Sequence, residues 1–177
     1  MRQFCAVLMI MTVPVAAAAD GGTAASRSRF IARYRCALAA RLDGIHRRGP
    51  VENARDRFIV IALRGEPQRY VQCLFHDRDT RMLCEASSGA YGPTGQGRLH
   101  LEPSARAALQ ALGYAQANPH VNFAREVELG DPPDVRIAAD LMLAALHDGY
   151  GARPGSAIDV RVPPGDDPVT ACGTPES

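Results

Sequence analysis

VQCLFHDRDTRMLCEASS, Val71–Ser88, places two cysteines, Cys73 and Cys84, on either side of a short charged stretch. Folding it back about the centre of "DRDT" gives two antiparallel strands. Val71 then faces Ala86, Cys73 faces Cys84, and Phe75 faces Met82, all apolar and all on one side. The other side pairs Tyr70 with Ser87, Gln72 with Glu85 and Leu74 with Leu83, a mostly polar set. Side chains alternate along a strand, so a slip of one residue would scramble this sorting, and the sorting therefore supports the register. The hairpin predicts a buried face under helices and an outer face whose Tyr70, Gln72, Glu85 and Ser87 form a candidate binding surface.

Upstream, "RFIVIALR" from Arg57 is rich in β-branched residues and reads as a strand. With "GEPQ", Gly65–Gln68, as the turn, the predicted register puts Val60 beside Cys73 and Phe58 beside Phe75. Before it, Ile31, Tyr34, Leu38, Leu42 and Ile45 recur at helical spacing, with Ser26 or Ser28 as the expected cap and Gly49-Pro50 as the stop. Arg47-Arg48 suits the negative end of that helix. Downstream, "GAYGPTGQGR" is a Gly-rich loop, and a second helix starts near Pro103, carries Leu109 and Leu112, and ends at Gly113. "VNFAREVEL" reads as a strand through Val121, Phe123, Val127 and Leu129, bulged or split where Arg125 breaks the alternation. A last helix spans about Asp134 to Tyr150, with Val135, Ala138, Met142, Ala145 and Gly149 as its stripe, widened by Leu141 and Leu146. "SAIDVRV" adds a short strand. The fold class expected is α+β: an antiparallel sheet, a three-stranded meander plus one or two further strands, packed by about three helices.

The amino end, "MRQFCAVLMIMTVPVAAAADGG", has the form of a secretory signal: Arg2, an apolar run Phe4–Val15, and Ala17-Ala18-Ala19 before a cleavage point at Asp20. The run is shorter than the roughly 20 residues that span a bilayer, and Pro14 interrupts it. The chain therefore divides into a signal peptide over 1–19, a small, polar, flexible segment over 20–29, one domain over 30–162 and a tail over 163–177. The expected location is the periplasm or outside the cell, with no membrane attachment after cleavage. Apolar content of 46% in 177 residues suffices for a core. There is no lysine, and the arginines are scattered and balanced to a formal charge of +1, so a nucleic-acid footprint is not supported.

Directly opposed residues of an antiparallel pair have Cα atoms roughly 4.5–5.5 Å apart, within reach of a disulfide. An exported Cys73–Cys84 pair should therefore oxidise. The alternative is two reduced core cysteines packing as small hydrophobes. The ten residues between them are not a C-x-x-C spacing, which argues against both zinc and a thioredoxin-like centre. Behind the leader the chain has four cysteines. Cys36 lies off its helix's apolar stripe and Cys172 lies in the tail, so of the three connectivities Cys36–Cys172 with Cys73–Cys84 is preferred.

No catalytic set emerges. His46, His76, His100, His120 and His147 lack metalloprotease spacing. Asp77 and Asp79 belong to a turn, "GPTGQGR" lacks the lysine and hydroxyl of a phosphate loop, and Ser87 and Ser88 lack a nucleophile elbow. No enzyme activity, metal or cofactor is expected.

The run YVQCLFHDRDTRMLCEASSG, a helix ending LGY, then VNFAREVEL and IAADLMLAALHDGYG resembles the type III secretion chaperone-like and YbjN-like superfamily over roughly Arg57–Val160. The resemblance implies helices on an antiparallel sheet, a peptide or protein client, and self-association as a dimer. The export signal and near-neutral charge depart from cytoplasmic, acidic secretion chaperones. The function expected is an exported, non-catalytic peptide- or protein-binding module. A small structural or stress-related envelope protein without a dedicated ligand, and a hydrolase with an unrecognised site, are the alternatives.

Overall fold

The computed structural model describes residues 17–48, 57–76, 79–163 and 172. The expected leader from Arg2 to Val15, the Gly49-Pro50 stop, Asp77 and the tail apart from Pro163 and Cys172 lie outside them. The described elements are α1 (Ala17–Arg47), β1 (Phe58–Leu63), β2 (Glu66–His76), β3 (Arg81–Ala86), α2 (Pro103–Ala111), β4 (Phe123–Glu128), α3 (Arg136–Tyr150) and β5 (Ile158–Arg161). The five strands form one antiparallel sheet in the order β4-β3-β2-β1-β5. No helix among the described residues is long and apolar enough to cross a membrane.

The β2–β3 hairpin has the register read from its side-chain sorting: Val71 faces Ala86, Cys73 faces Cys84 and Phe75 faces Met82. All six are buried. Ser87 N–H donates to the Tyr70 carbonyl, so alternation makes Cys73 and Cys84 a close, non-hydrogen-bonded pair. Their Cα atoms are 4.0 Å apart and the two sulfurs are bonded. The second disulfide joins Cys36 to Cys172.

β1 departs from the expected register by one residue. Ile59, not Val60, faces Cys73, and Phe58 faces Leu74. The turn is Arg64-Gly65, with Gly65 at φ 81°, so Leu63 pairs with Glu66 and "GEPQ" belongs largely to β2. The register then shifts between Ala62 and Leu63, and Pro67, which has no N–H to give a ladder, falls in the irregular stretch. Ile59 and Ile61 consequently enter the core, and Phe58 and Val60 turn to the other face.

β4 pairs with β3 without a break from Phe123 to Glu128, so the expected bulge is absent. Arg125 stays on the inner face and donates to the Leu112 carbonyl at the end of α2, where a cation complements the helix dipole. Gly113, at φ 82°, closes that helix in the left-handed conformation and lies against the Arg125 guanidinium.

α3 lies on the inner face of the sheet, with α1 and α2 packed against it. It is buried over far more than its expected stripe: Ala139, Leu143, Ala144, His147 and Tyr150 are also buried. Gly149 permits the approach of α2, since a Cβ there would come within 2.7 Å of Leu109. α1 begins at Ala17, well before Ser26 or Ser28, so the stretch expected as a flexible lead-in is helical. Its core contacts are Phe30, Leu38, Leu42 and Ile45, while Ile31 and Tyr34 are half-buried. Buried Arg57 ties its end to the sheet. The guanidinium pairs with Asp79, donates to the His46 carbonyl and sits 5.3 Å from the centre of the Phe75 ring.

Candidate functional site

With all three helices on one side, the sheet's other face is uncovered among the described residues. Its residues follow from the strand pairing. One row runs Val60, Gln72, Glu85, Ala124, and the next runs Phe58, Leu74, Leu83, Glu126. Phe58, Val60, Leu74 and Leu83 make an apolar strip across three strands, and Leu83 keeps 38% of its surface exposed. Charge borders it: Arg81 pairs with Glu128 at 2.8 Å and reaches Glu126 at 4.0 Å. One solvated face is ordinary for an antiparallel sheet, but such faces alternate to polar residues, and this strip is apolar.

The four residues read as a binding surface occupy this face unequally. Gln72 and Glu85 are half-buried and hydrogen-bonded to each other across the strands. Tyr70 is half-buried, and its hydroxyl accepts from Asn122 Nδ2 at 3.0 Å. Ser87 is not presented to solvent. It is buried, its carbonyl accepts the Tyr150 hydroxyl at 2.7 Å, and its Oγ accepts the Gly89 N–H at 3.3 Å. The chain leaves the sheet there, and α3 closes over it. None of the four strip residues is among the binding-face candidates read from the sequence: the side-chain sorting places Leu74 and Leu83 on this face, and the one-residue shift of β1 brings Phe58 and Val60 beside them.

β4 is a sheet edge. Ala124 exchanges both backbone hydrogen bonds with Ala115, away from β3, so the N–H and C=O groups of Glu126 and Glu128 also point outward. A second copy's β4 laid antiparallel there would oppose like glutamates, which is destabilising. Antiparallel self-pairing along this edge is therefore disfavoured.

The histidines do not converge. His46 lies against the Phe75 ring, His100 and His120 are exposed, and His76 lies on the open face. His147 was not singled out, yet it has partners across the fold. Its Nδ1 is 2.7 Å from Asp148 Oδ1 and its Nε2 3.1 Å from Ser26 Oγ, 121 residues away. That order of serine, histidine and carboxylate resembles a hydrolytic triad. Ser26, however, lies inside α1, where neighbouring N–H groups are committed to the helix and supply no oxyanion site. Arg27 also holds Asp148 at 3.1 Å. The cluster bolts α1 to α3 beside a cleft of about 580 Å³. Among the described residues no group of three His, Cys, Asp or Glu could hold a metal.

Two smaller cavities flank the segment 99–101. One, of about 290 Å³, is lined by Arg69, Glu102, Asp148 and Tyr150 among others. The second, of about 230 Å³, has Arg98, His100 and Arg106 at its wall with Leu101 and Phe123. Tyr114 and Tyr150 are buried nearby in the core, and burial raises the pKa of both hydroxyls well above the ordinary value.

Helices packed on one face of a five-stranded antiparallel sheet, with an apolar strip on a face that no described element covers, make an α+β fold. A family model matches residues 32–163, well over half of the chain, and its description is "T3SS (YopN, CesT) and YbjN peptide-binding chaperone 3". The chain belongs to this family, TY-Chap3. No curated protein and no solved structure matches it significantly.

Proposed function

We propose that this protein is an exported module that binds an extended stretch of a peptide or protein client on the open face of its sheet, without chemical turnover. The observation that carries the reading is the strip Phe58, Val60, Leu74 and Leu83, apolar on a face that no described element covers. Burying such a strip against apolar client side chains releases about 25 cal/mol for each Å² removed from water. Gln72 and Glu85 border it with groups able to meet a client's backbone. Family membership supports a peptide as the client class. Export rests on Arg2, the Phe4–Val15 run and the alanines before Asp20. Two disulfides suit an oxidising compartment.

The test compares the exported protein with Leu74→Arg and Leu83→Arg variants in affinity capture from envelope extract, with mass spectrometry of what stays bound. Circular dichroism checks that each variant folds. The reading expects specific proteins lost from the captured set in both variants. An unchanged set from folded variants refutes the face as the binding surface. Hydrolysis by the pure protein, abolished by His147→Ala, would move the protein to the enzyme class.

A further inference from the structure

The smaller cavity beside segment 98–101 has a composition that the open face lacks. Its wall is Ser88, Arg98, Leu99, His100, Leu101, Arg106, Gln116, Pro119 and Phe123, and it includes no carboxylate. Leu101 and Phe123 are buried and give it an apolar floor. The neutral polar groups are already engaged. Ser88 Oγ and Gln116 Nε2 both donate to the Val121 carbonyl at 2.8 Å. Arg106 uses Nε on the Leu101 carbonyl at 3.0 Å, which fixes the guanidinium at the rim and leaves its terminal nitrogens free among the described residues. Arg98 pairs with no acid among them.

Volume narrows the occupant. Pockets for small molecules and cofactors run about 300–1,000 Å³. At about 230 Å³ this one suits a single amino-acid residue. An apolar floor with two exposed arginines at the wall matches an apolar side chain joined directly to a carboxylate, and in a peptide those two features adjoin at the last residue. Arginine forks recognise carboxylates with two parallel hydrogen bonds. The cavity lies on the helix-covered side, where Phe123 pairs with Ala86, at the end of the sheet that carries Tyr70. Asn122 accepts from Ser88 N–H at 3.1 Å and donates to the Tyr70 hydroxyl at 3.0 Å, linking the cavity wall to the open face.

We propose that this cavity captures the carboxyl terminus of a client peptide, with the last side chain on Leu101 and Phe123 and the terminal carboxylate between Arg98 and Arg106. The inference rests on the peptide-binding reading but not on the open face as the place of contact.

The experiment measures fluorescence polarisation of labelled peptides ending in Leu, Val or Phe, each as the free acid and as the amide, on the native disulfide-bonded protein. Free acids should bind about tenfold or more tightly than their amides, the difference expected for losing a charge-assisted hydrogen bond. Arg98→Gln and Arg106→Gln should each shrink that difference, and rising salt should erode it. Equal binding of acid and amide overturns the carboxylate site and leaves peptide binding standing. No binding of either form overturns both. Displacement of the peptide by inorganic phosphate or succinate as readily as by unlabelled peptide would show a site for small free anions and overturn the peptide assignment.

Discussion

Replacing Cys73 and Cys84 together by alanine tests the hairpin most directly. The bridge joins residues 11 apart, for which chain entropy gives a stabilisation of about 3 kcal/mol. Both cysteines are fully buried, so each alanine also removes a core atom, by analogy with single-methyl deletions about 1 kcal/mol each. The double variant should therefore lose about 5 kcal/mol, comparable with the whole stability of a weak domain. Urea unfolding monitored by far-ultraviolet circular dichroism, at fixed pH, reads the change against the oxidised protein. Dithiothreitol adds a control on accessibility. Cys36 lies on an exposed part of α1, whereas Cys73 and Cys84 present no surface to a reductant. Mild reduction without denaturant followed by alkylation should label Cys36 and Cys172 first. A double variant within about 1 kcal/mol of the oxidised protein, or first labelling at Cys73 and Cys84, would refute the reasoning.

Arg57→Ala should cost about 3–5 kcal/mol in urea unfolding, because it leaves Asp79 uncompensated and removes the contacts to Phe75 and the His46 carbonyl. Gly149→Ala should destabilise by about 1–3 kcal/mol in the same assay, since the new methyl meets Leu109; Leu109→Ala alone should cost about 2–5 kcal/mol, and the double variant should cost less than the sum of the two. Tyr114 and Tyr150 keep their protons in the folded protein above the unfolded value near pH 10, because burial raises both. The unfolded chain then binds fewer protons than the folded one, so their contribution is complete below about pH 10 and is lost as pH rises from there towards the folded values. Ultraviolet titration should show their ionisation only together with unfolding, and early, reversible ionisation of all tyrosines would contradict their burial.

The β2–β3 hairpin was legible in the sequence because a period-two pattern admits one register when one face is apolar: Val71, Cys73 and Phe75 fit only opposite Ala86, Cys84 and Met82. Local backbone chemistry likewise announced the bounds of α2, with Pro103 at its start and Gly113 past its end. Cysteine placement pointed to both disulfides. What depends on neighbours distant in the chain was not legible. Arg125 looked like a break in a strand because its partner, the end of α2, is brought there only by the fold. Ser87 looked like surface until Tyr150 covered it, and the Ser26–His147 contact joins two helices at opposite ends of the chain. Most consequential is β1. Ile59, Val60 and Ile61 are interchangeable by type, so composition could not choose which faced the core. The two-residue turn at Arg64-Gly65 and the irregularity opposite Pro67 made that choice and moved Phe58 and Val60 by one step to the open face. Sequence determined that a sheet with one apolar face would form; the tertiary register decided that its other face would carry an apolar strip as well.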